Sequence, residues 1–490
     1  MRLYAVFHLL GWVLSALAIA MLFPAVFALA NDTLFFAQAF LAPATITGFS
    51  GGALILAFRD RSELSGRWYS LFFLALVWLV IPLAAALPLY TAEYPKEFVA
   101  SLFEATSGFT TTGATTLVAL NETPSSIIVW RAILQWLGGL MTLLSLATIL
   151  GPLSGSFLLD RQLRIIGQGT HGSLTHMREA LRFISPYYLA MTAACFTALV
   201  FTGIPAFDAF CIALSTVSTG GFMPRDGTIA LYGSLSAELI LAIFMFASAV
   251  SVVWLRAILQ RRWTLVRETR EPYWIMGLIL ACGAALAIMS LAPRPEIGWQ
   301  ATLHSIIHAV TTSASLISTS GFPVSERVQE LIPFILLLGL CIMGGGRFST
   351  AGGLKVFRIA TMLRRTHREL LLLVYPHSVR SAQFGRESRD DEIVRGIWVT
   401  LAGFVVLHVA LSLGIAATGL KFGESLLASA AALSNIGPAY DMARGASLGE
   451  LPTYAGMSPA AQLMLCAGMI LGRVEILALL AFIYLSNWRD

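Results

Sequence analysis

Charge is scarce in this 490-residue chain. Only 12% of its residues are Asp, Glu, Lys or Arg, where an average soluble domain carries about a quarter. With 57% hydrophobic residues beside that shortage, an ordinary water-soluble fold is excluded. Cysteine is sparse as well. Cys195, Cys211, Cys282, Cys341 and Cys466 lie in or beside apolar stretches, and none forms a CxxC pair. That spacing gives neither a disulfide framework nor a zinc site. HExxH and Walker-type sequences are also missing, so neither of these motifs marks an enzyme.

What is present is a series of long apolar runs separated by short polar breaks. A bilayer-spanning helix needs about 20 apolar residues. Backbone groups must pair internally where there is no water, so the runs are expected to be helices in lipid. The net charge of +5 sits in the breaks, which favours the membrane over nucleic acid as the partner of the basic surface. Met1-Arg2 precedes an apolar run to about Ala30, too long for a signal-peptide core and without a convincing cleavage site. A retained first helix is expected there.

Two apolar helices are expected at about 3–30 and 34–58. A pattern then recurs four times: a long apolar helix, a short apolar segment, a glycine-centred turn and a second long helix. The long incoming helices are placed near 69–91, 183–203, 273–292 and 393–419. Short segments follow at 97–107, 206–217, 299–316 and 424–432. The outgoing helices lie near 125–150, 232–259, from 331 onward, and 459–486. The expected architecture is an all-α polytopic membrane protein. It has two N-terminal helices (1–58) and four helix–pore-loop–helix repeats (68–152, 181–260, 271–372 and 391–487) in a pseudo-fourfold arrangement. The turn glycines Gly113, Gly221, Gly321 and Gly437 are 108, 100 and 116 residues apart.

Arginines cluster in every break between repeats: Arg59, Arg61 and Arg67; Arg161, Arg164, Arg178 and Arg182; Arg256 to Arg270; and Lys355 to Arg395. Basic breaks face the cytoplasm. All of them fall on one side only if each short segment re-enters without crossing, which also puts both termini in the cytoplasm. His171, His176 and His377 are expected as surface residues of those loops.

The turns have the composition a cation path needs. A ring of main-chain carbonyls can replace a cation's hydration shell. Glycine permits the backbone to aim consecutive carbonyls at one axis. Irregular backbone at membrane depth is tolerated where it lines a cavity. A short helix ending at the turn offers its negative dipole end to a cation. The expected ligating carbonyls belong to Thr111, Thr112 and Gly113; Thr219, Gly220 and Gly221; Thr319, Ser320 and Gly321; and Asn435, Ile436 and Gly437. Two adjacent glycines leave the second turn's register open by one residue; Gly221-Phe222 is aligned with Gly321-Phe322. A single glycine among the 41 would more simply serve helix packing. Four at one point of four similar modules reverse that preference.

Several stretches carry a family resemblance. FEATSGFTTTGA (103–114) resembles the first pore loop of the TrkH/TrkG/KtrB family of potassium uptake proteins. RAILQWLGG (131–139) resembles the helix after it, STAGGLK (349–355) the intramembrane loop of the third repeat, SNIGP (434–438) the fourth pore loop, and GRVE (472–475) the last helix. The resemblance covers nearly the whole chain. It implies a potassium-conducting pore with a filter built once per repeat. Glycine in all four repeats marks the potassium-selective members, and serine in the first marks sodium-preferring relatives; Gly113 places the chain with the former.

Five glycines in eleven residues, Gly344, Gly345, Gly346, Gly352 and Gly353 within 343–353, disfavour a helix by about 1 kcal/mol each. A kink would explain them. The resemblance implies instead a flexible gating loop below the filter. Arg347 and Phe348 stand where relatives have small residues, which would put a positive charge in or near the conduction path. Arg473 lies mid-span, where an ionisable residue is expensive. The resemblance makes it an electrostatic barrier below the filter; an internal pair with Glu475 is the compatible alternative. Glu104 is expected to act as a hydrogen-bonding brace behind the filter. Phe246-Ala247-Ser248-Ala249 replaces the paired glycines of relatives, with no function inferred. The family also implies a homodimer in a bacterial inner membrane and a soluble ring of nucleotide-binding regulatory subunits of the TrkA/KtrA type. Positive-inside orientation explains the arginines without that ring. The competing function is a secondary transporter with broken helices. Such proteins usually show two repeats, and four hairpins favour the pore.

Overall fold

A computed structural model describes residues 2–59, 67–150, 173–292, 298–375, 387–446 and 451–474. All the regular elements among the described residues are helices. Two N-terminal helices, α1 (Arg2–Asn31) and α2 (Leu34–Ala57), form a hairpin. Gly11 and Gly51 face each other across it so closely that a Cβ on either would lie 2.8 Å from the other's carbonyl oxygen. Close approach over small residues is how helices gain contact where lipid supplies no hydrophobic drive.

The first repeat comprises α3 (Arg67–Thr91), the half-helix α4 (Phe98–Phe109) and α5 (Ser125–Ser145). The second has α6 (Ser173–Phe201), the half-helix α7 (Ala206–Ser218), α8 (Leu235–Ala249), α9 (Val252–Leu259) and the short α10 (Trp263–Glu268). The third has α11 (Glu271–Leu291), α12 (Trp299–Ile317), the short α13 (Glu326–Glu330), α14 (Phe334–Met343) and α15 (Val356–Val374). The fourth has α16 (Glu387–Ala417), the half-helix α17 (Phe422–Leu433), α18 (Pro438–Ala446) and α19 (Pro459–Val474). Proline at the N-cap starts α5, α7 and α14 (Pro124, Pro205 and Pro333). It presets φ and forgoes a donor the helix start would leave unpaired.

Each half-helix packs in the same way. It touches the incoming helix of its own repeat (α3·α4, α6·α7, α11·α12, α16·α17). It also touches the outgoing helix of the repeat before it: α7 on α5, α12 on α8, α17 on α14, and α4 on α19. The order therefore closes on itself. The half-helices bury serine and threonine inside, and the molecule turns large apolar residues outward. Phe201, Ile335, Phe49 and Leu373 are among the most exposed. Seven described helices are long and apolar enough to cross a membrane, or eight if the bent pair α8–α9 counts as one span. Spans of that length with an apolar exterior make this a multi-pass membrane protein.

The structure departs from the sequence expectation in the second outgoing helix. Expected as one rod over 232–259, it is two helices that meet at 109°. The cause lies in the third repeat. The Gly346 N–H donates to the Ala249 carbonyl at 2.8 Å, and the Val252 N–H donates to the Phe348 carbonyl at 3.1 Å. The foreign loop thus takes over backbone groups that a straight helix would pair internally. The remainder of the last helix to 486, and with it Glu475, lies outside the described residues, as do Arg61, Arg161, Arg164, His171 and His377.

Candidate functional site

The four half-helices end alike. Thr111, Thr219, Thr319 and Asn435 each adopt a left-handed conformation, with φ of 52°, 56°, 60° and 53°. Each sits two residues before its turn glycine. The left-handed residue donates to the carbonyl three back (Gly108, Thr216, Leu316, Ala432) at 2.9–3.1 Å. In three turns the next N–H donates to the carbonyl five back (Ser107, Ser215, Ala431) at 2.8–2.9 Å; in the third, Gly321 reaches Ser315 at 3.1 Å instead. This is the Schellman C-cap, where glycine is usual. A β-branched threonine held there three times is strained by about 1–3 kcal/mol each, and such strain collects at functional sites. The common pattern settles the register of the second turn: Gly221 matches Gly113 and Gly321.

The turns meet. A Cβ on Gly113 would lie 2.0 Å from the Gly220 oxygen, and one on Gly221 would lie 1.8 Å from the Ser320 oxygen. One on Gly321 would press on Ile436 and Pro438, and one on Gly437 would lie 2.2 Å from the Ala114 nitrogen. First touches second, second third, third fourth, and fourth first. Gly220 has a separate reason to lack a side chain: the Gln135 amide fills that space. A direct bond from the Gly437 N–H to the Thr112 carbonyl, 2.6 Å, closes the cycle. Asn435 Nδ2 reinforces it by donating to Thr112 Oγ1 at 3.0 Å and to the Met469 carbonyl at 2.9 Å.

The fourth turn corrects one expectation. Gly437 has no positive φ, and its carbonyl accepts from the Tyr440 N–H at 3.1 Å and the Tyr454 hydroxyl at 2.9 Å. The chain re-enters helix α18 at Pro438, which turns that carbonyl into the helix start. Gly437 is therefore glycine for close approach to Ala114, and its oxygen already accepts from two protein donors.

Behind the first turn, Glu104 is fully buried and accepts from Arg131 Nε at 2.6 Å, the Thr116 N–H at 2.9 Å and the Thr115 hydroxyl at 3.0 Å. Arg131, itself 1% exposed, also reaches the Met223 carbonyl and stacks over Phe222 of the second turn at 4.0 Å. Glu104 is the expected brace. Its partner Arg131 was not recognised from sequence, although it opens the quoted stretch 131–139.

On the side of the turns where the glycines lie, a cavity of about 450 Å³ is lined by Gly113, Gly221 and Pro438. Asp226, Glu326 and Asp441 contribute carboxylates to its wall, and Arg131 and Arg225, which also line it, are paired with Glu104 and Asp208; the sequence singles out none of the three carboxylates. On the other side sits the loop 344–355. Its Thr350 hydroxyl donates to Val217 O at 3.3 Å, and the Gly352 N–H donates to Thr319 Oγ1 at 2.8 Å. A Cβ on Gly352 would lie 2.0 Å from the Ser434 oxygen. The first turn is reached through Arg473, 5% exposed, which donates to the Thr110 carbonyl, Thr111 Oγ1 and the Thr350 carbonyl. One loop thus touches or is tied to all four turns. Gly344 and Gly353 face each other within it, the carbon of one 2.7 Å from a Cβ on the other, and Gly345 takes a bond from Val356 N–H at 3.0 Å.

Arg347 is not where the sequence placed it. Its backbone N–H donates to Glu271 Oε1 at 2.9 Å, and its guanidinium lies over the Phe357 ring. The side chain turns toward α11 and α15, away from the residues that meet the turns.

A family model described as TrkH, cation transport protein, matches residues 48–281 and 295–487. The potassium uptake protein TrkH of Halomonas elongata is 31% identical over 504 residues, covering 100% of both chains. That of Salmonella typhimurium is 29% identical over 442 residues, covering 88% of each. The crystal structure of the potassium transporter TrkH from Vibrio parahaemolyticus superposes with a TM-score of 0.85 at 26% identity, covering 100% of both chains. The chain belongs to the TrkH family.

Proposed function

We propose that this TrkH-family chain is the pore-forming subunit of a Trk-type potassium uptake system. The potassium uptake activity named for its relatives is carried over on one observation: four separated turns share a backbone conformation and touch in a closed cycle. This supports a pseudo-fourfold filter. Its ligands are main-chain oxygens of Thr111, Thr112 and Gly113, Thr219, Gly220 and Gly221, Thr319, Ser320 and Gly321, and Asn435 and Ile436. Thr112 shares its oxygen with Gly437 N–H, so it contributes one lone pair. Half-helix C-termini α4, α7, α12 and α17 add negative dipole ends around the ion. The carboxylates of the glycine-side cavity raise the local cation concentration before dehydration.

The loop 344–355 is the gate. Seated under the turns, it closes the path, and Arg473 holds it to the first turn while placing a positive charge there. Arg347 anchors the far edge of the loop rather than blocking the ion. The activity is transport, not catalysis. The basic loops and both termini face the cytoplasm of a bacterial inner membrane. A homodimer and a cytoplasmic nucleotide-binding ring of the TrkA/KtrA type complete the assembly.

The test is growth of a bacterium lacking its own potassium uptake, at low potassium, with the regulatory partner co-expressed. The intact chain restores growth. Gly113→Ser, whose side chain would meet the Gly220 oxygen at φ +81°, loses potassium preference over sodium. Failure of the intact chain removes the proposed function, and equal potassium selectivity in the variant removes the filter assignment.

A further inference from the structure

A second cavity, of about 240 Å³, opens between α9, α10, α11 and α15 on the side where the basic loops cluster. Arg270, Arg347 and Arg364 line it, together with Glu268 and Glu271. Three guanidinium groups face two carboxylates, leaving one positive charge in excess. Glu271 is already committed to the loop, since its Oε1 accepts from the backbone N–H of Arg347. The Arg347 Nε is buried and has no hydrogen-bond partner among the described residues. Leaving a charged group's donor unpaired out of water is costly unless something else meets it.

The remaining lining describes the depth of the site. Trp254 and Trp274 flank the opening, and the Arg364 guanidinium lies 5.8 Å over the Trp274 ring. Trp274 and Tyr273 are both exposed at the start of a membrane-crossing helix. Tryptophan at such a position marks the headgroup level of a bilayer. Ser251 and Thr269 add hydroxyls to the wall. A basic pocket at headgroup depth beside the start of a membrane-crossing helix matches a phosphate ester. Arginine suits it because its fork can donate twice to one phosphate.

We propose that this cavity binds the phosphodiester headgroup of an anionic phospholipid, held by Arg347 and Arg364. One phosphodiester carries one negative charge, which balances the excess in the lining. The site is joined to the gate by covalent neighbours. Arg347 sits between Gly346, which bonds Ala249, and Phe348, whose carbonyl accepts from Val252 at the bend between α8 and α9. A headgroup there fixes the edge of the loop 344–355 and favours its seated position. The binding step stands apart from the proposed potassium function; only its consequence for the gate rests on that reading.

The test uses the full chain in phosphatidylcholine vesicles containing phosphatidylglycerol. After extraction in mild detergent, native mass spectrometry counts retained phosphatidylglycerol. Arg347→Gln and Arg364→Gln each lower retention by roughly fivefold, the weight of one basic residue near an anionic surface. Arg267→Gln, exposed on the same side but outside the cavity, leaves it unchanged. Because Arg364 is itself exposed, its variant keeps the fold even if Arg347→Gln does not. Equal retention in all variants overturns the proposal. So does a second arm: if glycerol phosphate stabilises the protein in pure phosphatidylcholine in an Arg364-dependent way while phosphatidylglycerol is not retained, the site belongs to a soluble phosphate. Failure of potassium uptake with retention intact would count against the proposed function alone.

Discussion

The four turns and the four outgoing helices below them obey different rules. At the turns the backbone repeats: one left-handed residue, one Schellman cap and one tight glycine contact, in nearly every copy. Below them the copies diverge. Helix α5 runs on into a π-helical turn at Leu146–Leu150. The second outgoing helix bends by 109° between α8 and α9. The third stops at Met343 and resumes only at Val356. In the proposed filter, ion coordination needs equivalent oxygens from every side, so departure there is penalised. A gate needs one element with two positions, and a symmetric ring of four cannot supply it. The asymmetry is therefore confined to the place where it does not disturb the oxygens.

The sharpest way to break this contrast is to put a methyl group where the ring is closed. Gly221→Ala combines φ +80° with a Cβ only 1.8 Å from the Ser320 oxygen. Potassium flux into proteoliposomes should fall roughly a hundredfold, equivalent to about 2.8 kcal/mol at about 1.4 kcal/mol per decade. Gly277→Ala on α11, whose Cβ would meet nothing within 4 Å, should leave flux unchanged. Comparable losses in both would show that the turns are no more constrained than the scaffold.

Next in size is the brace behind the ring. Arg131→Ala strands the Glu104 carboxylate in a site with no exposure. Breaking one partner of a buried pair costs about 3–5 kcal/mol. The melting temperature in detergent should drop sharply, and Glu104→Gln combined with Arg131→Met should recover part of it. An Arg131→Ala protein that melts like the parent would remove the pair from the account of what holds first and second turns together.

A smaller effect of opposite sign is expected below the ring. Gly352→Ala brings a carbon to 2.0 Å from the Ser434 oxygen, so the loop cannot seat fully. Basal flux without the regulatory partner should rise several-fold. A fall in flux would mean that the loop supports the ring instead of closing it.

The symmetric half of the molecule is legible in the sequence, and of the asymmetric half only the glycine-rich break after Met343 is. The turn glycines announce themselves by spacing, and the half-helices α4, α7 and α17 by apolar runs too short to span. Local chemistry fixes both. The bend at Val250 has no local signal, since Phe246-Ala247-Ser248-Ala249 reads as comfortable helix; its cause is a loop about a hundred residues further on. Sequence shows the Arg347 charge beside glycines, which puts it in or near the conduction path, but not which way the side chain turns. Phe357 and Glu271 decide that. Gly437 was grouped with the other three turn glycines by motif, yet the proline after it starts a helix and takes its oxygen away.

The smallest effect separates two kinds of oxygen at the same turn. Thr112 offers both a carbonyl and a hydroxyl. The hydroxyl is engaged with Thr110 Oγ1 at 2.7 Å and with Asn435 Nδ2 at 3.0 Å, so it acts as a strut between first and fourth turns. Thr112→Val keeps the shape, the β-branch and the carbonyl while removing only that strut. Thr110 retains its bond to the Thr106 carbonyl, and Asn435 retains its bond to Met469, so neither partner is fully orphaned. The cost should be that of one ordinary hydrogen bond, about 0.5–1.5 kcal/mol, seen as a small loss of melting temperature. Potassium over sodium selectivity, read from reversal potentials, should stay within roughly threefold of the parent, as expected when a side-chain bond of about that weight is lost and no ion ligand is touched. A collapse of selectivity in Thr112→Val would mean that side chains, not main-chain oxygens, face the ion, and the equivalence of the four turns would then rest on the wrong atoms.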